Sequence, residues 1–166
     1  MTDRPRNDEQ QAMSDATFQD GREAPLNLGA EDGEDIAVMS ALVQDAVFGT
    51  RDIQWDSTQR RFSLLLNRVR WEDRGTDRHA PERVRSLLVV NNVLGVASQG
   101  VDRKDADLVL SLMSLSFEPG DAPGGRLVLT LAGDGALRLN VEAPDLMLRD
   151  VTRPYRAVSG KLPSHD

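Results

Sequence analysis

The residues best suited to chemistry are arginines, eight of which fall between positions 60 and 85 with only four acids among them. On β-strands, side chains two positions apart share a face, so two arginine pairs could stand side by side if their strands pair. Guanidinium groups arranged in this way suit phosphates, carboxylates or single-stranded nucleic acid stacked on an aromatic ring. The predicted anionic-ligand site comprises Arg68, Arg70, Trp71, Arg83 and Arg85.

A structural interpretation of the same residues is favoured over the functional one. The arginines then form a solvated sheet face that is neutralised by its own acids or by the acidic N-terminal segment. A tryptophan near the end of a strand is more often a half-buried packing residue than a stacking platform. Both interpretations remain open at the level of the sequence.

Carboxylates clustered in a loop can bind Ca²⁺ or Mg²⁺ through oxygen, and Asp102, Asp105 and Asp107 form such a cluster. The spacing lacks the glycine and the distal glutamate of an EF-hand loop, and Arg103 and Lys104 interrupt it. Ordinary loop hydrogen bonding is therefore the preferred interpretation. Asp134, which stands between two glycines, is most simply a turn residue.

The chain contains no cysteine, which excludes disulfides, zinc thiolates and thiol catalysis. Its two histidines, His79 and His165, are too far apart in the sequence to favour a metal site or a catalytic triad. Phosphate-binding glycine loops and nucleophile motifs are also missing. We therefore predict no catalytic residue, no metal and no cofactor.

The formal net charge of −7 is concentrated at the N-terminal end. Residues 1–35 carry three arginines against ten acids, and the remainder carries 17 basic and 17 acidic groups. A neutral domain argues against a general nucleic-acid-binding function. The first residues lack the apolar segment of a secretory signal, and no apolar run reaches the roughly 18 residues of a membrane span. The sequence thus predicts a cytoplasmic protein without membrane contact.

Apolar periodicity divides the chain into a disordered acidic tail (1–24), a single domain (25–154) and a flexible C-terminal tail (155–166). The domain opens with a short strand at 25–30, followed by a helix with Asp32 as its N-cap. A core-facing stripe predicts that this helix runs on to Gly49. The stripe consists of Ile36, Met39, Val43, Ala46 and Val47.

Residues 52–71 predict two strands joined by a polar turn at 56–59. Phe62, Leu64 and Leu66 share one face, whereas Val69 and Trp71 have the opposite parity. Either a β-bulge near Asn67 shifts the alternation or the middle of the strand is covered on both faces, and we favour the bulge.

Further strands are predicted at 82–90 and at 93–99, with a bulge at Gly95 in the second. Residues 108–117 fit a strand or the start of a helix, and the strand is preferred. The clearest hairpin pairs 127–131 with 137–141 across a turn at 133–135. Pro144 predicts a short helix that places Leu146, Met147, Leu148 and Val151 over one end of the sheet.

The elements predict an α+β fold that is mostly antiparallel β. About seven strands form a sheet or a partly closed barrel, on which the N-terminal helix packs.

Several phrases of the sequence resemble an uncharacterised family of small alphaproteobacterial proteins, a domain of unknown function. They are EDIAVMSALVQDAV, RRFSLLLNRVRWE, RVRSLL, VLSLMSLSFEPGDAPGG and GDGALRLNVEAPDLMLRDV. The resemblance covers roughly residues 26–154. It implies a compact bacterial protein of the cytosol and implies no activity, cofactor or site residue.

The leading functional hypothesis is a non-enzymatic protein-interaction or regulatory domain whose protein partner is unidentified. A homodimer through an exposed strand edge is compatible with it. The alternative is a binder of nucleic acid or of another anionic ligand through the Arg/Trp sheet margin. An enzyme ranks third.

Overall fold

The computed structural model of the protein describes residues 24–73 and 82–156. This part of the chain contains one α-helix, α1 (Gly33–Val43), two short 3-10 helices (Thr50–Asp52 and Trp71–Asp73) and eleven strands, the last of only two residues. The strands are β1 (Asn27–Ala30), β2 (Val47–Gly49), β3 (Ile53–Asp56), β4 (Arg61–Val69), β5 (Glu82–Val90), β6 (Val93–Gln99), β7 (Val109–Pro119), β8 (Gly125–Leu131), β9 (Ala136–Val141), β10 (Leu146–Asp150) and β11 (Tyr155–Arg156). The predicted number of about seven is wrong, because β2, β10 and β11 are absent from the prediction.

Helix α1 begins as predicted, since the Asp32 side chain accepts a hydrogen bond from the backbone N–H of Asp35 at 2.8 Å. Its buried face packs mainly against β7, where the Leu115 N–H donates to Ser40 Oγ at 2.9 Å. The predicted end at Gly49 is wrong. Asp45 adopts a left-handed φ of 64°, and the chain then enters β2.

The paired strands of the described residues are all antiparallel, in the order β1-β10-β5-β4-β2-β7-β8-β9-β6. Two short strands lie beside this path, with β3 on β4 and β11 on β5. Strands β1 and β6 do not pair with each other, so the sheet is open and the barrel alternative is wrong. The predicted α+β class, with one helix on a mostly antiparallel sheet, is confirmed.

Short β2 joins two halves of the sheet, β1-β10-β5-β4 and β7-β8-β9-β6. It pairs with β4 on one side and with β7 on the other. The two-residue link between β5 and β6 also crosses between the halves, with Asn92 at a φ of 59°. Strand β6 pairs with β9, and its register shifts between Val93 and Gly95. The bulge predicted at Gly95 is therefore confirmed.

Residues 146–150 form β10 instead of the predicted C-terminal helix. Leu146 and Leu148 are buried and Met147 is exposed, which is the alternation of a strand with one face on the core. Backbone pairing with both β1 and β5 stabilises this conformation over a helical turn. The predicted strand at 108–117 and the hairpin of β8 with β9 are both present.

The alternation of β4 continues without a bulge, since its register with β5 is uninterrupted from Phe62 to Val69. The favoured explanation of the parity change is therefore wrong. The inward position after Leu66 is occupied by Arg68, which is fully buried, and the outward Val69 is buried as well. The end of β4 is covered on both faces, whereas the alternative explanation expected such cover at the middle of the strand.

Helix α1, the α-helix of the described residues, has 11 residues and is too short to span a membrane.

Candidate functional site

The register of β4 and β5 places the predicted arginines on two faces of the sheet. Arg68 pairs with Val84, and both are buried on the core face. Arg83 and Arg85 pair with Val69 and Asn67 and lie on the opposite face, called the outer face below. The four guanidinium groups therefore do not form the predicted ridge.

Arg68 is held by a dense set of hydrogen bonds on the core face, with its side chain 0% exposed. Its terminal nitrogens donate to the two carboxylate oxygens of Glu72, at 2.9 and 2.7 Å. Nη2 also donates to Asp150 Oδ1 at 2.9 Å, and Nε donates to Ser86 Oγ at 2.9 Å. This buried cation is paired and hydrogen-bonded, as burial of a charge requires.

Asp150 joins this cluster to the first strand. Its carboxylate accepts hydrogen bonds from Ser86 Oγ at 2.6 Å and from the Leu26 N–H at 2.8 Å. The Asp150 N–H donates in return to the Leu26 carbonyl oxygen at 2.9 Å. The cluster therefore fixes the start of β1 against β4, β5 and β10, which is a structural role.

Burial by itself raises the pKa of Glu72, but the hydrogen bonds and the charge of Arg68 outweigh it and hold that pKa below its usual value. For Arg68, burial lowers the pKa, and Glu72 and Asp150 raise it above its usual value. Both groups of this pair stay charged near neutral pH. A pair of this kind does not suit general acid–base catalysis, which needs a pKa near the working pH.

Arg70 and Trp71 are also engaged within the fold. Arg70 is buried, and its Nη1 donates to Glu82 Oε1 at 2.8 Å. The half-buried Trp71 donates from its indole nitrogen to the Gln44 carbonyl oxygen at 2.9 Å. This contact ties the end of β4 to the end of α1, as expected of a packing tryptophan.

Of the predicted site residues, Arg85 is exposed and Arg83 is half-buried on the outer face. Arg83 donates from Nη1 to the Asn67 carbonyl oxygen at 3.2 Å. The exposed Arg85 guanidinium has no hydrogen bond or ion pair with a described residue. The same holds for Arg149 of β10, which pairs with Leu87 and so stands diagonally across from Arg85.

A groove of about 980 Å³ runs along the outer face over β3, β4, β5 and β10. Its floor is apolar, with Leu87 and Val89 half-buried and Met147 42% exposed. Arg61 and Arg149 lie in its lining, against a single acid, Asp56. This groove has an apolar floor, Arg149 at one end and the neighbouring pair of Arg61 and Asp56 at the other, and it is the candidate functional site.

The groove does not follow from the sequence pattern, because residues 146–150 are predicted as a helix. In the strand conformation, Leu146, Leu148 and Asp150 face inward. Met147 and Arg149 lie on the outer face. The sequence Leu-Met-Leu-Arg-Asp has no alternation of apolar and polar residues that could have identified this strand.

Apart from Asp56, the acidic groups noted in the sequence or lining other depressions lie away from the groove. In a depression of about 650 Å³, Glu118 pairs with Arg126 at 2.9 Å and Glu142 pairs with Arg60 at 2.8 Å. In the 102–107 loop, Asp102 accepts from the Lys104 N–H at 3.0 Å, as loop chemistry predicts. Among the described residues, no group of three His, Asp or Glu side chains could hold a metal ion.

Two of the eight arginines between positions 60 and 85, Arg74 and Arg78, lie outside the described part of the chain. The same is true of both histidines, His79 and His165. The predicted N-terminal tail lies outside it up to residue 23, and the C-terminal tail lies outside it from residue 157. Strand β11 begins at Tyr155, the first residue of the predicted C-terminal tail.

The fold and the groove together define an α+β domain with an open antiparallel sheet and a concave, partly apolar outer face. The family described as "Protein of unknown function (DUF2948)" matches residues 26–165, and the chain belongs to this family. No curated protein and no solved structure matches the chain significantly.

Proposed function

We propose that the domain is a protein-binding module and that its outer groove takes an acidic segment of a partner protein. The observation that carries this proposal is the combination of an apolar floor with unpaired arginines at its margin. Met147 and Leu87 offer apolar surface, and methionine adapts well to a bound side chain. Arg149 and Arg85 offer charge-assisted hydrogen bonds to carboxylates.

Charge argues for an acidic partner over a second copy of the chain in the groove. A two-fold symmetric contact would bring the Arg149 guanidinium groups of both copies to the same interface, where like charges repel. An acidic peptide meets the same arginines with opposite charge. The apolar floor supplies the burial that a purely electrostatic contact lacks.

Selection from a random 12-residue peptide display library against the full chain tests the proposal. We expect the enriched peptides to combine acidic and apolar residues and to bind with micromolar affinity in fluorescence anisotropy. Met147→Glu and Arg149→Glu should each weaken this binding at least tenfold. Loss of one buried apolar contact or reversal of one charge has an effect of this order.

Matched control variants lie elsewhere on the surface. Leu94→Glu places the same charge at an exposed position of β6, where Leu94 is 54% exposed. Arg103→Glu reverses an exposed charge in the 102–107 loop. Both should bind like the natural chain. Selected peptides that bind equally to the groove variants, or a selection without enrichment, would refute the proposal.

Binding of nucleic acid or of another anion is the second candidate. It is favoured by Arg83 and Arg85 on the outer face and not by Arg68 and Arg70, whose charges are used inside the fold. A dimer through a strand edge also remains a proposal. Strands β1 and β6 end the sheet, and sedimentation equilibrium of the full chain measures whether they associate.

The resemblance supports a further part of the proposal, namely an alphaproteobacterial source and a cytoplasmic location. Cell fractionation of such a bacterium with an antibody against the full chain tests the location.

A further inference from the structure

The chain enters the domain beside the Arg149 end of the groove. Ala24 is the first described residue, and it is exposed. Three residues later, Asn27 opens β1 and pairs with Arg149 of β10. The segment of residues 1–23 therefore joins the domain one strand away from the groove.

The surface between this entry point and the apolar floor is open on the outer face. Gly29 pairs with Met147, so β1 places no side chain beside Met147. Strand spacings put Met147 about 8 Å from Asn27, whereas the six residues from Phe18 to Ala24 can span up to about 20 Å. Phe18 can therefore reach the floor of the groove.

Residues 7–20, called the 7–20 segment below, combine acidic and apolar side chains. The segment contains no Lys, Arg or His and has four acids, Asp8, Glu9, Asp15 and Asp20. Phe18 lies between the last two of these acids, so an aromatic ring is flanked by carboxylates. The groove offers the complementary pattern, because its apolar floor ends at the exposed Arg149.

We propose that the 7–20 segment of the same chain occupies the groove, with Phe18 on the apolar floor and Asp20 at Arg149. The inference rests on that part of the proposed function by which the groove takes an acidic segment. It adds the regulation of this site, since the chain's own segment competes with a partner.

Tethering favours the chain's own segment over a free one. A short linker gives an effective concentration in the millimolar range. A segment with an intrinsic Kd of about 100 µM would then fill the groove in about nine of ten molecules. Moderate affinity is therefore sufficient for the 7–20 segment to close the groove.

Paramagnetic NMR of the full chain tests where the segment lies. Because the chain contains no cysteine, Thr17→Cys carries a nitroxide label at a single position. The amide signals of Met147 and its neighbours in the groove should lose most of their intensity, and that of Thr130, on β8 in the other half of the sheet, should keep it. The same label combined with Phe18→Ser and Asp20→Asn should restore the groove signals.

A mixed sample shows which molecule supplies the segment. Nitroxide-labelled chain without isotope is mixed with isotope-labelled chain without nitroxide, so that a loss of the Met147 signal can come only from another molecule. We expect no such loss. A loss equal to that within one chain would make a second copy the occupant. Unchanged Met147 signals in the first sample would show that the segment lies elsewhere, and either result would overturn the inference.

Competition measures the effect on partner binding. Phe18→Ser with Asp20→Asn should lower the apparent Kd of a groove-binding display peptide about tenfold, because this Kd is the intrinsic value divided by the open fraction of the groove. Leu94→Ser with Asp134→Asn is the matched control, since it makes the same chemical changes at exposed positions of the domain. This control should bind the peptide like the natural chain.

The two proposals fail separately. Display peptides that depend on Met147 and Arg149, but bind the natural chain and the Phe18→Ser, Asp20→Asn variant equally, would refute the self-occupied groove alone. Nitroxide-dependent loss of the groove signals, together with a selection that yields no groove-dependent peptide, would refute the partner-binding function and keep the intramolecular contact.

Discussion

Arg68 and Asp150 lie 82 positions apart in the sequence, and their side chains meet at 2.9 Å inside the fold, both essentially unexposed. Their positions on β4 and β10 are ones at which strand alternation predicts apolar residues. A buried ion pair is held by good geometry and further hydrogen bonds, and here Glu72 and Ser86 supply them. This contact stabilises the half of the sheet that carries the groove.

Arg68→Met should therefore destabilise the protein by about 3–5 kcal/mol, because it leaves the carboxylates of Asp150 and Glu72 without their cation. Urea unfolding followed by circular dichroism measures this difference. Arg126→Met is the matched control, since Arg126 pairs with Glu118 at 2.9 Å with both side chains about half exposed. It should cost less than about 1 kcal/mol. Equal losses in the two variants would show that the buried cluster is not the main determinant.

Acid sensitivity should depend on Glu72. Its pKa is lowered in the folded protein, so its contribution is present above the unfolded-state pKa of about 4.3 and is lost as the pH falls through the folded pKa. Glu72→Gln should be less stable near neutral pH and should lose less stability on acidification. Urea midpoints measured from pH 7 down to pH 3 test this, and parallel curves for the two proteins would contradict it.

The sequence could predict the elements whose signals are local. The N-cap of α1 at Asp32, strand β5, strand β6 with its bulge at Gly95, and the β8–β9 hairpin all follow from neighbouring residues. Residues 146–150 have no such local signal, because Leu-Met-Leu fits a helix or a strand equally well. Pairing with β1 and β5, more than fifty residues away in sequence, decides between them.

The candidate site was predictable only in part. Arg83 and Arg85 are placed on one accessible face, as the alternation of β5 predicts. Arg68 was not assigned to the core because an arginine is rarely fully buried, and its partners come from distant strands. The parity change after Leu66 was the visible sign. It marked a charged residue on the core face and not a bulge.

The β7–β8 hairpin should be intolerant of any side chain at Gly125. A Cβ atom there would lie 2.5 Å from the Glu118 carbonyl oxygen and 2.6 Å from the Phe117 ring. Gly125→Ala should cost about 1–3 kcal/mol through overpacking. Gly33→Ala, at the start of α1, meets nothing within 4 Å and should leave stability equal or up to about 1 kcal/mol higher. Thermal unfolding of both variants provides the comparison, and an unchanged Gly125→Ala variant would be the contrary result.

Binding of polyanions separates the two candidate functions, and the structure decides which arginines can be changed for this test. Serine at Arg68 or Arg70 would disrupt buried ion pairs, so any loss of binding would follow from unfolding. The triple variant Arg83→Ser, Arg85→Ser, Arg149→Ser changes groups of the outer face, of which Arg85 and Arg149 are exposed and Arg83 is half-buried. If the groove binds a protein segment, retention of the natural chain on heparin and on single-stranded RNA should be weak and nearly equal to that of the triple variant. Strong retention that falls steeply with salt and disappears in the triple variant would instead favour the anionic-ligand function, because such binding depends on the number of phosphate contacts.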